Sequence, residues 1–244
     1  MTTTTSLWRF ANPAKFMELT GMFLWPLGIC SVFLIISGLI WGFFFTPDDF
    51  RQGATVKIFY IHVPSATMAT GIWAMMLISS IIWFIRRHPV SALAAKAAAP
   101  IGLIMTLVAM ATGAIWGKPM WGTYWAWDPR LTAFFILMLF YIGYIALWQA
   151  IEDRETVSDL TAILCIVGTV FAVISRFAVI FWDRGLHQGA SMSLEAERAV
   201  HPIFFAPALV SSVGFFTLFV WLCFVRTRME IRQQRLAALL ARRT

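Results

Sequence analysis

Six long stretches of this chain carry almost no charge, and they constrain its fold more than any other feature. They cover residues 21–45, 58–85, 97–117, 131–151, 160–182 and 201–225. Each reaches the roughly 20 residues that a helix needs to cross the hydrocarbon core of a bilayer. The runs show no alternation of apolar and polar residues, so they are typical of helices and not of barrel strands. The sequence predicts an all-α integral membrane protein, with six transmembrane helices in one domain over residues 1–244.

Basic residues predict the orientation of these helices. Of the 19 Lys and Arg residues, about two thirds flank the spans on the side of the N-terminus, which is the distribution expected of the cytoplasmic side. We therefore expect both termini in the cytoplasm. The net charge of +7 follows from this topology and gives no reason to expect a nucleic-acid partner.

The last residues, 226–244, form a tail with six arginines. A Leu- and Ala-rich face beside these charges is typical of a helix that lies on an anionic membrane surface and contacts lipid. A solvated anchor of the last span and a contact with a cytoplasmic partner are the alternatives. The three cysteines all lie in apolar stretches and form no C-x-x-C-H motif, so the chain is not itself a c-type cytochrome.

Residues 116–132 separate the third and fourth spans and contain four of the twelve tryptophans. A helix over 119–128 would place Trp121, Tyr124, Trp125 and Asp128 on one face, because they are spaced i, i+3, i+4 and i+7. With Trp116 and Trp127, these residues are candidates to hold a large flat ligand on the periplasmic side. The alternative is an amphipathic segment that rests on the bilayer surface.

Two histidines are predicted to lie on the same side as this segment. His62 is at the outer mouth of the second span, and His187 is in the last outer loop. A pair of neutral imidazoles is a common way to hold haem iron axially, so these residues are candidate iron ligands. His201 is a spare candidate, and each histidine alone could instead be a hydrogen-bonded structural residue.

Haem also carries two propionates, for which cations are needed at the rim of the site. Arg130 ends the tryptophan segment, and Arg51, Lys57 and Arg184 are predicted on the same side. An Arg fork matches a carboxylate in a bidentate way, whereas interfacial cations ordinarily bind lipid phosphate. Arg176 lies within the fifth span and either reaches towards the interface or pairs with a polar group in the bundle.

The segment W-G-T-Y-W-A-W-D-P-R-L-T, from Trp121 to Thr132, resembles the tryptophan-rich "WWD" signature of haem-handling proteins. With six spans and single histidines near Pro64 and in the last outer loop, the chain is similar over its whole length to the CcmC family. This family is the C subunit of the bacterial cytochrome c maturation system. The resemblance implies a six-helix bundle in the bacterial inner membrane that presents haem b to the periplasm, with His62 and His187 as axial ligands.

The same resemblance implies partners and a role. Haem would pass to a membrane-anchored periplasmic haem chaperone, CcmE, beside the ABC-type subunits CcmA and CcmB and the small membrane protein CcmD. The chain would then be a haem-delivery factor and not an enzyme. Two other classes stay open at this point: a haem-binding quinone redox subunit and a small-molecule membrane transporter.

Overall fold

The computed structural model describes residues 12–181 and 201–242. These ranges contain six long α-helices, a short 3-10 helix over Ala54–Ile58 and no strand. The long helices are α1 (Pro13–Phe44), α2 (Phe59–Arg86), α3 (Pro89–Trp121), α4 (Pro129–Ala150), α5 (Arg154–Phe181) and α6 (Pro202–Ala241). Each is long and apolar enough to cross a membrane. The prediction of an all-α protein with six spans is confirmed.

The helices alternate in direction, so their connections lie at two ends of the bundle. Residues 45–58 and 122–128 connect helices at one end, where α6 also begins; we call it the tryptophan end. Residues 87–88 and 151–153 connect helices at the other end, where α6 terminates; we call it the tail end. The tryptophan end has the longer connections and therefore more room for a binding site.

Four helices begin at a residue that precedes a proline and caps the first turn. The side chains of Asn12, His88, Asp128 and His201 each accept a hydrogen bond from a backbone N–H two or three residues later. Proline suits the first helical position because its missing N–H would have no partner there. A capping residue followed by proline therefore specifies where each of these four helices begins.

Helix α2 is the centre of the bundle and packs against α3, α5 and α6. Trp73 of α2 is fully buried; its Nε1 donates to the Cys165 carbonyl and to Thr169 Oγ1 of α5, both at 3.2 Å. Its ring meets Tyr141 of α4 edge to face, with centroids 4.7 Å apart. Because Tyr141 OH also donates to the Ala69 carbonyl at 2.7 Å, α2, α4 and α5 form one unit.

At the tail end, α6 continues without a break from its apolar part to Ala241. Lys96 Nζ of α3 lies 2.6 Å from Glu230 Oε2 and 4.9 Å from the centre of the Trp148 ring. Arg226 Nε donates to the Ala97 carbonyl at 3.0 Å, and Arg228 donates to Thr20 Oγ1 of α1 at 2.9 Å. The first turns of the basic tail therefore belong to the packed bundle.

Gly102 lets α3 approach α4, because a Cβ atom at this position would overlap the Tyr141 ring. We expect Gly102→Ala to lower the free energy of unfolding by about 1–3 kcal/mol, as overpacking of a core does. Gly71→Ala is the matched control, since Gly71 lies in α2 with no atom within 4 Å of an added Cβ. Thermal unfolding in detergent measures both; equal midpoints in the two variants would contradict the packing argument.

Candidate functional site

The helix predicted over 119–128 is wrong. Helix α3 continues to Trp121 and ends at Gly122, whose φ of 74° is left-handed and whose N–H donates to the Lys118 carbonyl at 3.0 Å. Glycine is favoured at this capping position because it has no Cβ. Asp128 and Pro129 then begin α4. Residues 122–128, which we call the tryptophan loop, are non-helical because these two end signals override the spacing of the aromatic residues.

A local turn directs the tryptophan loop towards the bundle. Thr123 Oγ1 donates to the Trp125 carbonyl at 2.8 Å, and the Trp125 N–H donates back to Thr123 Oγ1 at 3.3 Å. Lys118 Nζ donates to the Gly122 carbonyl at 3.0 Å and lies 5.3 Å from the centre of the Tyr124 ring. The loop thus holds a definite shape through its own side chains and the last turn of α3.

The aromatic residues of the loop face two ways. Trp125 is half-buried and meets Trp127 edge to face at 5.5 Å and Phe135 of α4 at 6.1 Å. Its Nε1 is buried and has no hydrogen-bond partner among the residues that the structure describes. Trp127 and Tyr124, in contrast, expose 74% and 60% of their surface. One part of the loop covers the bundle, and the other part faces outwards.

Beneath Trp125 lies a cavity of about 380 Å³ between the helices, within the usual size range of small-molecule sites. It brings together six of the residues predicted from the sequence: His62, Trp116, Trp121, Tyr124, Trp125 and Arg130. Its polar lining also includes residues that the sequence did not indicate: Gln52, Thr67, Thr70, Ser175 and Ser212. This cavity therefore contains the candidate iron ligand His62 together with candidate aromatic and cationic residues.

His62 is oriented by helix α3. Its Nδ1 lies 3.0 Å from the Ala109 carbonyl oxygen and 3.2 Å from Thr112 Oγ1. Because a carbonyl can only accept, Nδ1 carries the proton and the lone pair of the neutral ring is on Nε2. Gly113 allows this position, since a Cβ there would lie 2.8 Å from His62 Cε1. Histidines that bind metals are held by the same kind of hydrogen bond at the other nitrogen.

Trp116 supports the His62 ring. The two rings meet edge to face with centroids 5.6 Å apart, and Trp116 makes a similar contact with Phe59 at 6.4 Å. Trp116 Nε1 donates to Gln52 Oε1 at 2.9 Å. Gln52 is itself held in the connection between α1 and α2, where its N–H donates to Asp49 Oδ1 at 2.9 Å. This connection therefore contributes to the site, which no motif in the sequence indicated.

Two guanidinium groups line the cavity, Arg130 of α4 and Arg176 of α5. Arg130 is close enough to Arg176 to be repelled by it and close enough to Asp128 to be attracted, but neither guanidinium forms a salt bridge with a carboxylate of the described residues. Two like charges beside an apolar cavity favour an anion between them. The sequence indicated Arg130 as a candidate cation at the rim but assigned Arg176 no such role.

The other candidate residues lie elsewhere. Arg51 is exposed above the Phe50 ring, and the cavity lining does not include it. The Asp128 carboxylate accepts from the Leu131 N–H at 2.6 Å. Lys57 Nζ donates to Thr46 Oγ1 at 3.0 Å at the end of α1. His187 and Arg184 are outside the described residues.

His201 differs from His62 in tautomer. Its Nδ1 accepts a hydrogen bond from the Ile203 N–H at 3.3 Å, so the proton of the neutral ring is on Nε2. It caps the first turn of α6 and is not part of the cavity lining. His62 is therefore the described histidine whose ring is arranged for a ligand in the cavity.

Comparison with known proteins shows what the chain is similar to. The sequence model of the family described as heme exporter protein C (CcmC) matches residues 6–242. Heme exporter protein C of Rhodobacter capsulatus is 58% identical over 234 residues, which cover 96% of this chain and 97% of the relative. The Paracoccus denitrificans protein of the same name is 57% identical, covering 97% and 98%. The Escherichia coli K12 protein is 37% identical, covering 98% of each. The chain belongs to the heme exporter protein C family.

Proposed function

We propose that this membrane protein binds haem b beneath the tryptophan loop and delivers it at the periplasmic face for the maturation of c-type cytochromes. Membership of the heme exporter protein C family supports a role in haem handling. The observation that supports the site most is the orientation of the His62 imidazole, whose Nδ1 bonds the Ala109 carbonyl and which lines a cavity together with indoles. Haem is here the cargo of the protein.

The residues of the cavity suit the three chemical parts of haem. His62 would hold the iron, with His187 proposed as the second axial ligand. Trp116, Trp121 and Trp125 offer apolar walls to the porphyrin ring. Arg130 and Arg176 supply two positive charges for the two propionates. Because the cavity supplies a matching group for each part of haem, it suits this ligand better than a quinone, which carries no carboxylates.

Delivery requires that part of the ligand be accessible to a partner. Tyr124 and Trp127 are exposed beside the cavity, and exposed aromatic residues are frequent energetic centres of protein interfaces. We propose that the periplasmic haem chaperone CcmE docks here, while CcmA, CcmB and CcmD associate with the bundle. The distribution of Lys and Arg supports an inner-membrane topology that places both termini in the cytoplasm and the tryptophan end in the periplasm.

His62→Ala should remove most of the haem that co-purifies with the protein, because it deletes the oriented imidazole. His187→Ala should change the ligand set in the same way. The Soret band and the pyridine haemochrome content measure both effects. His201→Ala is the matched control at the same end of the bundle, and it should keep the wild-type spectrum. Added imidazole should restore haem to His62→Ala; wild-type haem content in that variant without imidazole would refute the assignment.

Arg130→Gln and Arg176→Gln should each weaken haem binding about tenfold or more, since a charge-assisted hydrogen bond contributes about 1.5–3 kcal/mol. Titration with haem and with its dimethyl ester, which lacks both carboxylates, separates charge from shape. The variants and the wild type should bind the ester equally well. Arg51→Gln is the control outside the cavity lining and should bind haem normally. Equal losses for haem and for its ester would exclude a propionate contact.

Trp127→Ala should separate haem binding from delivery, because the Trp127 side chain is exposed and does not line the cavity. We expect normal haem content but several-fold less co-purification with the haem-loaded chaperone, as for an aromatic interface residue. Trp125→Ala is the matched comparison and should lose haem itself. Undiminished chaperone binding in Trp127→Ala would place the docking surface elsewhere.

A further inference from the structure

Besides Tyr124 of the tryptophan loop, two cavity-lining residues of the long helices are exposed. They are Thr67 of α2 and Arg176 of α5. A residue that both lines a cavity and is exposed lies at the mouth of that cavity. Helices α2 and α5 are neighbours in the bundle, so this mouth lies between them. The cavity thus opens sideways, in addition to its boundary with the tryptophan loop.

The polar contacts between α2 and α5 agree with this opening. In residues 12–181, the side-chain hydrogen bonds between these helices include those of Trp73 with α5 and of Trp83 Nε1 with Asp159 Oδ1 at 2.8 Å. Arg87, the residue after α2, bonds the same carboxylate. All lie in the middle or at the tail end. Nearer the tryptophan end, α2 lines the cavity with Thr67 and Thr70 instead.

The depth of the mouth follows from helix geometry. Helix α2 has 28 residues and is therefore about 42 Å long. The hydrocarbon core is roughly 30 Å thick, so a helix centred in it extends about 6 Å beyond the core at each end. Thr67 is the ninth residue of α2, about 12 Å from its start. The mouth is consequently below the interface and faces the acyl chains of the bilayer.

The chemistry at the mouth matches an amphiphile with carboxylates. A charged side chain within a span is costly and marks a pathway or site more often than a structural position. Arg176 lies five residues before the end of α5, about 8 Å along the helix axis, near the boundary between acyl chains and headgroups. Haem in a leaflet keeps its ring among the acyl chains and its carboxylates at that boundary, for the same reason that other amphipathic groups do.

We propose that the gap between α2 and α5 is a lateral entrance through which haem dissolved in the bilayer reaches the cavity. The proposal rests on the function proposed above and adds the route of entry. Thr67 and Thr70 form the small-residue edge of the entrance on α2. Arg176 meets the propionates on α5, and Arg130 receives them farther inside. Haem then reaches His62 without first crossing the aqueous phase.

A size series at Thr67 tests the entrance. In proteoliposomes supplied with haem, the growth of the Soret band gives the rate of uptake, and its final amplitude gives the occupancy. Thr67→Val keeps the volume and serves as the reference for the series. Thr67→Leu should be slower, and Thr67→Trp slower by at least about tenfold, because the added side chain fills the passage. The rate constant is taken from the approach of each variant to its own final amplitude, so a change in occupancy does not enter the comparison.

Gly71→Trp is the matched control for a bulky residue facing lipid. Gly71 is exposed one turn below Thr67 on the same face, is outside the cavity lining, and has no atom within 4 Å of an added Cβ. Its uptake rate should equal that of the wild type. Wild-type rates in both Thr67→Leu and Thr67→Trp, or equal slowing in Gly71→Trp, would overturn the lateral entrance. Loss of the proposed function would be seen differently, as a wild-type Soret band that His62→Ala leaves unchanged.

Discussion

The hydrogen bond between His62 and the Ala109 carbonyl is the interaction on which the site depends. It joins α2 to α3 at the tryptophan end and determines which ring nitrogen of the neutral imidazole carries the lone pair. Gly113 gives the ring its space, and Trp116 packs against its edge. An imidazole held on three sides loses little further freedom when it binds a ligand, so the energy of a metal bond is not spent on ordering the side chain.

The tryptophan loop shows how the fold divides one aromatic segment between two tasks. Gly122 ends α3 and Asp128 begins α4, so the residues between them turn back over the bundle. Trp125 then covers the cavity while Trp127 faces outwards. A continuous helix would have put Trp121, Tyr124 and Trp125 on one face. In the proposed function, nearby residues of one loop would therefore cover the ligand and meet the partner.

The spans were predictable because a segment in lipid must satisfy its own backbone hydrogen bonds, which leaves a helix as the local solution. The helix caps at Asn12 and Asp128 are also local features, because each side chain accepts a hydrogen bond from a backbone N–H two or three residues away. The contributions of Gln52 and Arg176 were not predictable. Each acts at the cavity through contacts with helices far away in sequence, and no spacing rule describes such contacts.

The sequence alone determines the six helices, the aromatic character of residues 116–132 and the candidate ligand His62. Hydropathy and residue chemistry are properties of short segments, which is why these features can be predicted. The tertiary structure alone decides that His62, Trp125, Arg130 and Arg176 surround one cavity and that Trp127 does not. It also decides that α2 and α5 leave an opening near Thr67. These outcomes depend on how helices pack across the bundle, and packing is a relation between segments that no single segment specifies.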